Sequence, residues 1–167
     1  MIGVTRPVGR HMPYWKHRGF TLVEILVVIA IMAVLMTIAV TSIGGARRQS
    51  RDVKRVADVR EIQIALELYS NERDGYPAAN TPVVLGSGNY KALCNGGFKT
   101  ACAVGEKLFQ GLVPPAPQPI DGSCTQAQNN YTYLAANKSE YTITFCIGGR
   151  INELVAGVHT ASPSGVK

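Results

Sequence analysis

Gly19-Phe20-Thr21-Leu22-Val23-Glu24-Ile25-Leu26-Val27-Val28-Ile29-Ala30-Ile31 is the stretch that decides the fold. It opens an apolar run from Leu22 to Val40, 19 residues of which only Glu24 and Thr37 are not apolar. About 20 such residues carry a helix across the hydrocarbon core of a bilayer. A charge at the centre of such a helix costs about 2.5–3.5 kcal/mol, so Glu24 reads as functional and calls for a cationic partner. Cutting the chain before Phe20 would create one, the new α-amine. The Glu24 of one copy and the Phe20 amine of another relieve each other only when the copies lie in register. A buried ion pair then acts as a registry device.

Beyond the run, Gly44-Gly45 is a soft point in the helix, since each glycine costs roughly 1 kcal/mol relative to alanine. It reads as a hinge or as a place where a neighbouring helix packs closely. A polar helix is predicted from about Ala46 to Arg73. At 100° per residue, Val53, Ala57, Ile64 and Leu68 fall on one stripe, and Val59, Ile62 and Leu66 on a nearly opposite one. A simple amphipathic helix has a single apolar face. Two faces predict that one packs on a head domain and the other on further subunits. Asp74-Gly75 supplies a C-terminal cap and Pro77 cannot continue the helix.

The junction resembles the N-terminal signature of type IV pilins and their pseudopilin relatives. The likeness is tight from Arg18 to about Leu35. It is looser through Ala65-Leu66-Glu67-Leu68-Tyr69 to Gly75-Tyr76-Pro77. The resemblance implies an α+β, pilin-like fold with one long N-terminal helix packed on a small antiparallel sheet. It implies that a prepilin peptidase cuts after Gly19 and methylates the amine of Phe20, with Glu24 as the family's assembly glutamate. The partners it implies are further copies in a helical homopolymer, the prepilin peptidase, and an assembly platform with its ATPase motor. It places a single-pass precursor in the inner membrane, N-terminus cytoplasmic, before the subunit joins an extracellular filament. The domains expected are a leader (1–19), a transmembrane and assembly half-helix (20–45), an amphipathic half-helix (46–74) and a head (75–167). The head divides into an irregular αβ-loop (75–130) and a sheet (131–167).

The strong basic balance is partly a leader effect. Arg6, Arg10, Lys16 and Arg18 precede the cut, and their loss takes the net charge from +6 to +2, with 13 basic against 11 acidic residues. Met12 is an alternative start that would shorten the leader. A secretory signal peptide fits poorly, because the apolar run exceeds an h-region and no A-x-A-like site follows it. Basic residues stand on both sides of the run, so loop charge leaves orientation open. Of these, Arg47, Arg48, Arg51, Lys54 and Arg55 form a cluster. It could bind DNA or another anionic surface, or pair with Asp52, Asp58 and Glu61. No aromatic residue interleaves it to stack on bases; pairing is favoured, and no specific nucleic-acid binding is expected.

From Ala78 to about Asn130, Gly, Pro, Asn and Ser dominate, including Pro114-Pro115-Ala116-Pro117-Gln118-Pro119, and predict a loop region rather than a regular core. A short helix is expected over Gly105 to Leu112. Strands are expected at Tyr131–Leu134 and Glu140–Ile147, joined as a hairpin through Ala135 to Ser139, with a third near Leu154 to Thr160. The four cysteines lie in the part that would be exported, and an even count there favours disulfides. Of the three possible pairings, Cys94–Cys102 and Cys124–Cys146 are preferred: one closes a Gly-rich loop, the other pins the loop region to the sheet.

No catalytic constellation is discernible: His11 and His17 lie in the leader and His159 stands alone. No CxxC spacing suggests zinc, and no cofactor is expected. Asn137-Lys138-Ser139 matches a glycosylation sequon, a pattern common by chance. The chain therefore reads first as a structural subunit of a type IV pilus-like filament and not as an enzyme. The alternative is a pseudopilin of a type II secretion system; a distant third is a membrane-tethered binding domain that never polymerises. Major secretion pseudopilins carry an Asp-Pro-Trp-Gly-like motif and a calcium loop near the C-terminus. Here Pro119-Ile120-Asp121-Gly122 stands instead, and the single tryptophan, Trp15, is in the leader. That departure favours the pilus reading.

Overall fold

The computed structural model describes residues 19–106, 108–110 and 112–167. The chain divides into two compact units, Met1–Thr41 and Ser42–Lys167. One helix, α1 (Leu22–Arg73), runs through both. The leader, with Trp15, His11 and His17, lies outside the described residues.

The second unit is an α+β head. After α1 come β1 (Ala79–Val84), β2 (Ala92–Cys94), β3 (Gly97–Lys99), β4 (Leu108–Gln110) and the short α2 (Gln126–Asn129). Four further strands follow: β5 (Thr132–Ala135), β6 (Thr142–Ile147), β7 (Gly157–Ser162) and β8 (Gly165–Val166). The main sheet is antiparallel in the order β1-β5-β6-β7-β8, and a second sheet has the order β3-β2-β4. In the main sheet Tyr133 stands opposite Ile143, and Ile143 opposite Ala161. The alternation holds as far as Phe145, after which Cys146 and Ile147 are both buried. Tyr131, Tyr133, Ile143, Phe145 and Ala161 are buried, whereas Thr132, Thr144 and Thr160 lie on the other face.

Helix α1 covers the buried face of this sheet with one side of its second half. Val59, Ile62 and Leu66 are fully buried and join Val56, Ala65 and Tyr69 in a single core with Tyr131, Tyr133, Phe145 and Ile147. Each of these large aliphatic side chains gains about 1.5–3 kcal/mol from leaving water. The opposite stripe is open: Val53, Ala57, Ile64 and Leu68 are exposed, Ile64 to 63%. The helix ends with Asp74 and Gly75 at positive φ, and the Gly75 amide donates to the Ser70 carbonyl. A side chain on Gly75 would run into Lys138, so only glycine fits this turn.

Two expectations for the region before Asn130 fail. Instead of a helix over Gly105 to Leu112, the chain forms strand β4, which pairs with β2. Nor is the region irregular throughout. β1 extends the main sheet beside β5, and β2 and β3 form a hairpin across Asn95-Gly96. These strands are as short as three residues, too short to show a period of two. β1 carries Pro82, which is tolerated only at an edge such as this one. The third strand, expected near Leu154 to Thr160, starts later, at Gly157.

Candidate functional site: a bare apolar helix and its ionic anchor

Thr21 starts α1. Its hydroxyl accepts a hydrogen bond from the Glu24 amide at 3.2 Å, the cap that Ser and Thr commonly supply to an orphan N–H of the first turn. Gly19 and Phe20 precede it outside any regular element and exposed, with Phe20 76% exposed. Glu24 lies in the first turn, where the helix dipole favours a carboxylate. Among the described residues it makes no ion pair; in the uncut chain Phe20 offers only a peptide nitrogen.

Residues 19–39 are exposed throughout, including Leu22, Val23, Ile25, Leu26, Ile29 and Leu35, all at least half open to solvent. By length and composition this segment is apolar enough to cross a membrane. Such a patch on one molecule marks a surface that something else must cover. Residues 43–50 are exposed as well. Gly44 and Gly45 lie inside the helix with open space where a side chain would project.

Burial begins at Arg51, and it begins with charge. Arg51 grips both oxygens of Asp121, Nε to Oδ2 at 2.7 Å and Nη2 to Oδ1 at 2.6 Å. Arg55, 1% exposed, reaches Asp52 at 2.7 Å and Asp121 at 3.1 Å. Its other terminal nitrogen donates to the Pro117 carbonyl at 3.0 Å and to Asn129 Oδ1 at 2.8 Å. Asp52, fully buried, accepts also from the amides of Gly148 and Gly149 at 3.0 and 2.9 Å. Four segments therefore meet at one turn of α1: residues 51–55, the loop at 117–121, α2 and the turn after β6. The approach is tight because Gly122, at positive φ, and Gly148 let the backbones touch; a side chain on Gly148 would overlap Asp121.

The Arg51 guanidinium, helped by Arg55, holds the Asp121 carboxyl below the usual carboxylate range despite partial burial. Nearby, Asp58 accepts from the Tyr131 hydroxyl at 2.9 Å and from Lys54 at 2.9 Å. Burial, with the Asp58 charge, drives the Tyr131 hydroxyl well above its ordinary range.

The basic cluster is thus split. Arg51, Lys54 and Arg55 pair with acids, as the pairing reading holds, but Asp121 is a partner that the sequence did not reveal. It lies 66 positions from Arg55 in the chain, and nothing local marks it except the Asp-Gly pair of a turn. Asn129 was missed for the same reason.

The cysteines form two disulfides, Cys94–Cys102 and Cys124–Cys146. Cys124 follows the anchoring loop and Cys146 lies on β6, so this bridge fastens the loop beside the ionic anchor. Glu106 comes close to Cys94 and Cys102, but both sulfurs are bonded to each other. Its carboxylate is already held by Lys99 and by the amides of Gly96 and Ala103. His159 packs against Phe145, with its ring nitrogens at the carbonyls of Val155 and Lys167.

The first half of α1 is thus an exposed apolar segment, apolar and long enough to cross a membrane by composition, on a helix whose second half is fixed to a small disulfide-bonded head. Comparison with known proteins agrees. Residues 16–40 match the profile described as "Prokaryotic N-terminal methylation motif". The chain is 38% identical over 65 residues to the type II secretion system core protein G of Escherichia coli (strain K12), covering 39% of this chain and 45% of that protein. Core protein G of Pectobacterium carotovorum subsp. carotovorum is 36% identical over 64 residues, 38% of this chain and 41% of the relative. That of Vibrio cholerae is 31% identical over 65 residues, 39% and 44%. The chain thus spans less than half the length of these curated relatives. No solved structure matches. Motif and relatives together support the pilin and pseudopilin family that the N-terminal residues resemble.

Proposed function

We propose that the chain is a structural subunit of a secretion-type pseudopilus: a membrane precursor, matured at its N-terminus, that polymerises through α1. This reverses the order of the two leading readings of the sequence. The observation that carries it is the run of secretion core protein G relatives, joined to a methylation motif that heads a helix whose first half is exposed among the described residues. The departure at Pro119-Ile120-Asp121-Gly122 supported the pilus reading. It loses weight because Asp121 has a structural task of its own in the head.

In this proposal a prepilin peptidase cuts between Gly19 and Phe20 and methylates the new amine. Glu24 pairs with the Phe20 amine of a neighbouring subunit. The exposed stripe of Ile64 and Leu68 extends the contact between copies, and Gly44-Gly45 lets the helix adjust to its neighbours. An assembly platform and its ATPase drive the polymer from the inner membrane, and the chain has no catalytic role. Two measurements on a strain lacking the chain test this. Exported enzymes are expected to accumulate behind the outer membrane while surface filaments persist. Loss of surface filaments with secretion intact would instead establish the pilus reading. In the complemented strain, Glu24→Gln should leave the subunit in the membrane and abolish most secretion; normal secretion would show that the pairing is dispensable.

A further inference from the structure

We infer that Arg47 and Arg48 form a docking surface for anionic phospholipid headgroups while the subunit is held in the membrane. The inference rests on the membrane reading of the apolar run. The structure sorts the basic cluster into two classes. Arg51 and Arg55 are committed inside the head to Asp121, Asp52 and Asn129. Lys54 shares Asp58. Arg47 and Arg48 remain exposed and take part in no ion pair among the described residues.

Among the described residues no acid pairs with them. From Ile43 to Arg51 the sequence holds no carboxylate. The nearest one, Asp52, is fully buried, and its oxygens are occupied by Arg55 and by the amides of Gly148 and Gly149. The anchor thus leaves an uncompensated positive patch seven residues past Val40, where the apolar run ends. Basic side chains next to a membrane-spanning helix attract anionic lipids by about fivefold in affinity per residue. Nucleic acid fits the patch less well, because no aromatic side chain is interleaved to stack on bases. The guanidinium groups suit phosphate oxygens, which they can meet with paired N–H bonds.

The test uses the full chain, inserted into bilayers of phosphatidylcholine alone or of phosphatidylcholine with phosphatidylglycerol. Hydrogen exchange is followed in the peptide covering residues 43–50. That peptide excludes the leader, whose own basic residues would otherwise confuse the result. Exchange is expected to slow several-fold with phosphatidylglycerol and to recover when salt is raised from about 0.1 M towards 1 M, where screening shortens to about 3 Å. Arg47→Gln combined with Arg48→Gln should erase the effect, and Arg60→Gln, farther along the exposed helix, should leave it intact. Equal exchange in the two bilayers overturns the inference. So does equal protection in phosphatidylcholine on adding inorganic phosphate, which would make free phosphate the ligand. Failure to float with the vesicles after an alkaline wash would overturn the membrane reading and this inference with it. Insertion without lipid-dependent protection would overturn this inference alone.

Discussion

The two halves of helix α1 are built from the same kind of backbone and face opposite problems. Residues 22–39 are almost wholly apolar and wholly exposed. Residues 51–73 are mixed in composition, yet Val59, Ile62 and Leu66 are completely buried. The second half finds its partner inside the head; the first finds none among the described residues. Between them stand Arg51, Asp52 and Arg55, which fix to the head the first turn of the helix that has a head to pack on. Hydrophobicity alone would place the wrong half in the core. What decides is the head's ability to offer a complementary face and to satisfy the charges at its edge.

The largest effect is expected at that edge. Asp121→Asn removes the carboxylate that answers two guanidinium groups and leaves Arg55 buried with one acid. Breaking a buried pair typically costs about 3–5 kcal/mol. The head's melting temperature, measured with the disulfides intact, should fall accordingly, and a change within error would show that the anchor is ornamental. Acid acts on the same group. Because Asp121 is held below its ordinary value of 3.8, its contribution is whole at higher pH. It is lost as the pH falls through and below that range. Asp121→Asn should therefore flatten the acid limb of stability against pH.

Next comes the contrast between the two stripes of the second half-helix. Leu66→Ala opens a cavity in a closed core and should cost about 2–5 kcal/mol. Ile64→Ala, on the exposed stripe, should change the isolated head by no more than about 0.5 kcal/mol. If the stripe is a contact between copies, Ile64→Ala should still reduce polymer yield. Equal destabilisation by both substitutions would erase the distinction between the faces.

A smaller difference separates the disulfides. Losing a bridge from a small exported domain costs about 2–5 kcal/mol. Cys124–Cys146 spans 22 positions and Cys94–Cys102 only 8. By loop-closure entropy alone, the paired Cys124→Ser and Cys146→Ser change should cost about 1 kcal/mol more than the paired change at Cys94 and Cys102. The reverse order, read from thermal unfolding, would mean that the short β3-β2-β4 sheet matters more to the head than the anchoring loop.

These contrasts also mark what the sequence could tell. The long helix, its end at Asp74-Gly75 and the β5–β6 hairpin were legible because each repeats a period or carries its own turn chemistry. The opposed stripes at Val59/Ile62/Leu66 and Ile64/Leu68 were legible too, though only the structure shows which of them the head covers. β1 to β4 were hidden. Three-residue strands among Gly, Pro and Asn have no period, and their pairing is decided by distant partners. Asn95-Gly96, a two-residue hairpin pair, is one local signal there, and it is the one that joins β2 to β3. Within the anchor, the helical residues stood out as a basic cluster. Asp121 and Asn129 did not, because a partner some 70 residues away leaves no mark on local pattern. Thr21 was visible as part of the junction, but its capping role follows from the helix starting at Leu22.

The central claim is that the bare half of α1 begins a mature protein at Phe20. Its most direct test is the intact mass and tryptophan fluorescence of the assembled subunit. The account predicts a chain that starts at N-methylated Phe20 and, having lost Trp15, has no tryptophan emission. An assembled subunit that keeps Trp15, or that begins at any residue other than Phe20, would contradict it.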